Sequence, residues 1–318
     1  MRFRLLALFT LAAAPALLAA PPPAPSAETP SADELYEEGR SLFEEYATPE
    51  IKEQFEFPNR ASWDAFAGRL QQALDKDDLG ALAAYEPEAR AALAALRVLP
   101  GHEDLARWLE VRLDYIEAAK IAAKSPGPGS PALRPGTPAA GRKPVGIPHY
   151  DLWLARLRSR SVPSRAAELM PILRTAFAAE GVPPELAWLA EAESTLDPGA
   201  RSPSGARGLF QLMPVTARAL GLSTLLPDER ADATKSARAA ARYLRTLHGR
   251  FGDWPLAFAA YNAGEGRVRR LLEARQVRTF AEVAAALPSE TRMYVPKVCA
   301  TIAVRTGMTP DHIPAPGA

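Results

Sequence analysis

Only one of the 318 residues is a cysteine, Cys299, so no intrachain disulfide can form. It lies in the apolar stretch 298–304 and reads as a small buried hydrophobe. Histidine is scarce as well. His102, His149, His248 and His312 are scattered without ligand spacing, so no metal site is expected and no cofactor is implied. Strand-like alternation is almost absent, which leaves an all-α chain. Basic residues form no dense run and no nucleic-acid motif appears, which argues against a nucleic-acid partner.

What is present divides the chain. Arg2 and Arg4 precede an apolar run from Leu5 to Ala20 that falls short of the roughly 20 residues a membrane span needs. Residues 1–20 therefore read as an export signal, with a periplasmic destination expected. No cysteine stands near residue 20, so no lipid anchor is expected there. Residues 21–31 are a disordered Pro/Ala-rich segment by composition. Residues 32–124 show helical spacing, as in Leu105, Trp108, Leu109, Leu113 and Ile116, and predict a small bundle. Residues 125–147 are dense in Pro and Gly and read as a flexible linker between domains that move independently. Residues 148–307 are helical again and residues 308–318 form a tail. The charge changes sign across the linker. Residues 31–124 hold 11 Lys/Arg against 20 Asp/Glu, a net −9, and residues 148–318 hold 22 against 16, a net +6. Two charge characters suggest two partners: an anionic polymer for the basic part, and a spacer or protein-interaction role for the acidic bundle. In the basic part, helices are predicted near 150–160, 164–180, 183–194, 214–220, 228–250, 254–263, 265–275, 279–286 and 290–306, with Pro171 expected to kink or split the second.

Chemistry gathers in four stretches. On a helix over 183–194, Leu186, Leu189, Ala190 and Glu193 share one face and Glu191 points elsewhere. A carboxyl on an apolar face loses solvation and keeps its proton near neutral pH, the state a general acid requires. On the helix alone, the position better suits a carboxylate that only ties the helix end to a neighbouring loop. In RSPSGARGLFQLMP, residues 201–214, Ser202, Ser204, Gly205 and Gly208 make a tight loop. Gln211 stands among apolar residues, either lining a cleft or paired with backbone. Tyr261 and Asn262 end an apolar helix beside Gly264 and Gly266. Glu290 opens the last helix, and Tyr294 lies one turn on.

In order along the chain, Glu193-Ser194, GARGLFQLMP (205–214), AAYNAG (259–264) and ETRMYVPK (290–297) make residues 182–303 resemble the catalytic domain of the family 1 lytic transglycosylases, and within them the membrane-bound lytic murein transglycosylase D group. The stretch DERADATKSARAAARYL (228–244) adds to the likeness. The resemblance implies a lysozyme-like, all-helical fold close to goose-type lysozyme. It implies Glu193 as the single catalytic acid/base, and a cleft that binds peptidoglycan glycan strands through Ser194, Ser202, Gln211, Met213, Tyr261, Asn262, Glu290 and Tyr294. It further implies cleavage between N-acetylmuramic acid and N-acetylglucosamine without water, leaving a 1,6-anhydro end, because the muramoyl C6 hydroxyl acts as an intramolecular nucleophile. Two other readings stand beside it: a hydrolytic muramidase on the same fold, and a non-catalytic scaffold that binds the glycan.

Overall fold

The structure is a computed structural model that describes residues 60–98, 103–124 and 146–317, together with the single position 49. The expected signal, the Pro/Ala-rich segment and nearly all of the linker lie outside the described residues. Among the described residues, thirteen α-helices run in chain order: α1 (Arg60–Asp75), α2 (Leu79–Ala83), α3 (Glu86–Val98), α4 (Glu103–Lys124), α5 (Tyr150–Arg158), α6 (Ala166–Ala179), α7 (Leu189–Ser194), α8 (Pro214–Ala219), α9 (Ala233–Phe251), α10 (Trp254–Ala263), α11 (Glu265–Arg275), α12 (Phe280–Val283) and α13 (Ser289–Thr306). Short 3-10 turns occupy Pro184–Trp188, Glu229–Ala231, Ala284–Ala286 and Pro310–His312. Among the described residues the only β pairing is two isolated bridges, Arg201 with Arg207 and Arg207 with Leu212. None of the described helices is long and apolar enough to cross a membrane.

Local sequence sets the helix ends. Asp253 starts α10 by accepting the Leu256 N–H at 3.1 Å, with Pro255 pre-set for the first turn. Asp232 does the same for α9 through the Lys235 N–H at 2.7 Å. Thr279 and Glu282 close a reciprocal capping box on α12. Gly252 and Gly307 end α9 and α13 with φ of 68° and 78°, a left-handed turn that glycine takes without a Cβ clash. Pro171 neither breaks nor splits its helix, since α6 runs unbroken from Ala166 to Ala179.

The helices bury two apolar cores. Leu70, Leu74, Leu82 and Leu109 centre the first, built from α1 to α4. Trp153, Phe177, Phe210, Phe258 and Tyr294 centre the second. Helix α10 is buried all round from Leu256 to Ala260, as its uniformly apolar sequence dictates, and α13 packs against it and against α5 and α7. Helix α4 belongs to both cores. Leu109, Leu113 and Ile116 face the first, and Tyr115, Ala118 and Ala122 face the second. The sequence reads residues 32–124 as a module separate from the C-terminal helices. The last helix of that segment instead shares its side chains with the body formed by residues 146–317.

Candidate active site

The site is built where α7 ends. Its last turns carry two carboxylates separated by a single residue, Glu191 and Glu193. Glu191 is 9% exposed, and its charge is matched by the Arg305 guanidinium, with Nη2 at 2.7 Å from Oε1 and Nε at 2.8 Å from Oε2. This two-point pairing offsets the desolvation of a buried carboxylate. Glu193 keeps some solvent contact and has no such cation bonded to it. Its Oε1 accepts a 2.5 Å hydrogen bond from the Tyr294 hydroxyl on α13. Loss of solvation raises the Glu193 carboxyl to about 7; the Tyr294 bond and the positive charges of Arg112 and Lys297 restrain that rise, and the negative charge of Glu290 adds to it. Of two nearly adjacent carboxylates, one is paired with a guanidinium and the other is able to carry a proton at neutral pH.

The loop after α7 is fixed by hydrogen bonds to its own carbonyls. Thr195, Leu196 and Gln211 all take left-handed φ values of 54°, 60° and 44°, an uncommon conformation for side-chain-bearing residues. Four carbonyls of the turn are satisfied from outside it. Arg230, only 7% exposed, donates to Gly205 O at 2.7 Å and Leu212 O at 3.0 Å. Ser194 Oγ donates to Leu209 O at 2.9 Å, and Tyr261 OH donates to Phe210 O at 2.7 Å. Asp228 in turn holds the Arg230 fork at 3.0 and 2.8 Å. Buried backbone groups left without such partners would cost several kcal/mol together, which accounts for the tightness of the loop (roughly 1–3 kcal/mol each).

The structure brings some of the sequence-derived residues together and separates others. Glu193 and Tyr294 are in contact. Tyr261 lies close enough for the Glu193 charge to act on its phenol, which burial holds well above its usual range. Asn262 receives the Thr291 hydroxyl at 2.7 Å, which joins α10 to the first turn of α13. Glu290 pairs with Arg112 of α4 at 3.3 Å. Met213 is 42% exposed at the rim of the loop. Ser194 is 5% exposed, and both roles of its hydroxyl are taken by backbone, which makes it a structural pin rather than a cleft group. Ser202 closes the 202–206 turn by accepting the Ala206 N–H at 3.0 Å. Gln211 directs its amide nitrogen to Gly208 O at 2.9 Å and Ala200 O at 3.3 Å, the backbone pairing that the sequence left open. Asp197 caps the following turn through the Gly199 N–H and pairs with Arg165 at 2.7 Å and Arg107 at 2.9 Å. No group of His, Cys, Asp and Glu suited to a metal ion occurs among the described residues.

Residues 171–283 match the family model of the Transglycosylase SLT domain. This part of the chain is similar to that family. The SLT domain match begins inside α6 and ends with α12, so it contains Glu193, the 201–214 loop and Tyr261. Among curated proteins, the membrane-bound lytic murein transglycosylase D of Escherichia coli strain K12 is 38% identical over 168 residues, covering 49% of this chain and 37% of that one. The membrane-bound lytic murein transglycosylase F of Alcanivorax borkumensis is 36% identical over 141 residues, covering 41% and 29%. The soluble lytic murein transglycosylase of Salmonella typhimurium is 38% identical over 120 residues, covering 35% and 19%. The chain thus spans little more than a third of the length of the first curated relatives it matches. A solved structure of the 70 kDa soluble lytic transglycosylase of Escherichia coli overlays with a TM-score of 0.41 at 20% identity, covering 90% of this chain and 59% of that one, too loose an overlay to weigh on the fold.

Within the residues that match the family model, sequence reasoning passed over Arg230. It lies inside the 228–244 stretch that carries the resemblance, but nothing local marks it as the clamp of a loop 18 to 25 residues earlier. Lys297 and Arg112, the two cations that act on Glu193, were also missed.

Tyr294→Phe tests the contact at the centre of the site. It leaves Glu193 Oε1 without its donor, and a hydrogen bond to a charged group is worth about 1.5–3 kcal/mol, so turnover should fall roughly 10- to 100-fold. Because the phenol bond favours the ionised carboxyl, the alkaline limb of the pH–rate profile should move up by about one unit. A full pH–rate profile of both proteins checks both effects.

Proposed function

We propose that the protein is a peptidoglycan lytic transglycosylase, exported to the periplasm by residues 1–20, in which Glu193 acts first as acid and then as base. The observation that supports this most directly is a single carboxyl raised to about 7 and bonded by a phenol at one oxygen only. With Tyr294 donating to Oε1, the acid hydrogen resides on Oε2, the oxygen left to meet a substrate. Glu193 passes that proton to the oxygen bridging N-acetylmuramic acid and N-acetylglucosamine. The carboxylate so formed is stabilised where it stands by the Tyr294 hydroxyl and by the charges of Arg112 and Lys297. It then takes the proton of the muramoyl C6 hydroxyl as that oxygen closes the 1,6-anhydro ring, and the acid is restored. No second carboxylate is required, since the attacking oxygen belongs to the substrate. The other acidic group that acts on Glu193, Glu290, is committed to Arg112. The names of the relatives, lytic murein transglycosylases, support the same reading.

Digestion of purified sacculi by the full chain, followed by mass spectrometry, tests it. The expected fragments end in anhydro-muramic acid. Fragments that are heavier by one water and carry only reducing ends would overturn the proposal in favour of a hydrolase. The activity should be level on the acid side and fall tenfold per pH unit above about 7, because only the protonated carboxyl of the free enzyme can begin the reaction.

A further inference from the structure

Helix α4 lies before the residues that match the SLT domain, yet it reaches the catalytic carboxyl. Arg112 is the residue that does so. Its guanidinium lies over the Trp108 ring at 5.0 Å and 3.3 Å from Glu290 Oε1, and both side chains are largely buried, at 16% and 15% exposure. Its Nε is buried without a hydrogen-bond partner. Tyr115, one turn along the same helix, is buried, which holds its phenol well above the usual range, and the charges of Glu290 and Glu193 add to that rise. The helix cannot slide past these groups, because Asp114 fastens it. That carboxylate is 8% exposed and pairs with Arg156 at 2.8 Å, Arg160 at 2.5 Å and Lys297 at 3.2 Å. Lys297 is itself the second cation acting on Glu193, and its ammonium lies 4.7 Å from the centre of the Tyr115 ring.

Building on the reading of Glu193 as the acid, we propose that helix α4 is a wall of the catalytic centre and that Arg112 is its positioning residue, holding Glu290 in place and keeping a positive charge toward the Glu193 carboxyl. The groups coupled to Glu193 by contact or by charge come from three helices. Arg112 and Tyr115 belong to α4, Tyr261 to α10, and Glu290, Tyr294 and Lys297 to α13. Arg112 acts on Glu193 in two ways of the same sign. Its own charge favours the carboxylate, and its pairing neutralises Glu290, which disfavours it. Removing Arg112 takes away a cation and uncovers an anion together. Removing the charge of Glu290 does the reverse.

The test uses the full chain with ¹³C-labelled glutamate carboxyls. The resonance that disappears in Glu193→Gln identifies the group, and its titration midpoint is then followed in three variants. In Arg112→Met the midpoint should rise by about one pH unit, with kcat falling roughly tenfold and KM unchanged. In Arg112→Met/Glu290→Gln it should return toward the wild-type value. In Glu290→Gln, which preserves shape and so folding, it should fall. A midpoint that stays put in Glu290→Gln, or in a folded Arg112→Met, overturns the proposal and leaves Arg112 a packing residue only. Failure of the wild-type chain to cut sacculi at any pH would instead overturn the lytic activity, while the titration would still decide the role of Arg112.

Discussion

Glu193→Gln is expected to abolish cleavage and, at pH 8, to make the protein harder to unfold. Under the proposed mechanism the first effect follows from removing the only group that both gives and takes the proton, which general acid–base catalysis places at roughly 10²–10⁴-fold, here the upper end. The second follows from linkage. The carboxyl is raised to about 7 in the folded chain against 4.5 for the free side chain. A raised acid contributes stability that is fully present below the unfolded value and is lost as pH climbs through the folded one. Above pH 7 the native protein therefore holds an ionised carboxylate in a site that disfavours it, at a cost of about 1–3 kcal/mol, with the lower figures favoured by the remaining solvent contact of Glu193. Glutamine has the same shape, keeps an oxygen for the Tyr294 hydroxyl and carries no charge. Thermal unfolding at pH 8 should show the variant above the wild type, and the gap should close by pH 4. Equal stability at both values would mean that Glu193 is not held against its charge.

Gly208→Ala should be among the most damaging single changes in the chain. Gly208 has φ of 79°, and its N–H donates to Ala200 O at 2.8 Å, so it closes the turn that presents Phe210 and Leu212 to the core. A Cβ built there would stand 1.9 Å from the Arg230 carbonyl oxygen. That oxygen is backbone of the short turn whose guanidinium clamps the loop, so it cannot yield without releasing Gly205 and Leu212. A loss of at least about 4 kcal/mol is expected, a large share of the roughly 5–15 kcal/mol that holds a folded protein together. Gly205 supplies the control. Its φ of 88° is just as unusual, but a Cβ would meet only the Pro214 ring at 3.9 Å. Gly205→Ala should cost only the backbone strain, about 1–2 kcal/mol. Urea unfolding of the two variants separates them, and equal losses would show that the approach of Arg230 is not what requires glycine.

The helices were legible in the sequence because their ends are written locally. Asp253-Trp254-Pro255 and Thr279 to Glu282 start helices by side-chain bonds that span three residues, and Gly252 and Gly307 stop them. That Glu193 and Glu191 point to different neighbours was legible for the same reason, since a few residues of helix suffice to set their directions apart. Which of the two would be exposed was not, because the Arg305 that buries Glu191 lies 114 residues away. The contact of Tyr294 with Glu193 spans 101 residues, and that of Arg112 with Glu290 spans 178. Arg112 carries no mark of its own. It is one basic residue on a charged helix, and only the docking of α4 onto α13 gives it a task. The hydrogen bonds of the polar loop residues were not legible either. Ser194, Ser202 and Gln211 look like cleft chemistry in a motif, whereas the tight turn they sit in has backbone groups of its own to satisfy and takes their hydrogen bonds.

Helix α13 carries Tyr294 to the acid, and little more than one turn further it carries Cys299, the sole sulfhydryl of the chain, at 0% exposure and with its thiol pushed up by burial. Burial keeps that thiol in its unreactive protonated form and away from reagents. The rate at which a thiol reagent consumes this one group is therefore a clock for the loosening of α13 from the core. It needs no engineered label, and it runs on the native chain in the absence of substrate.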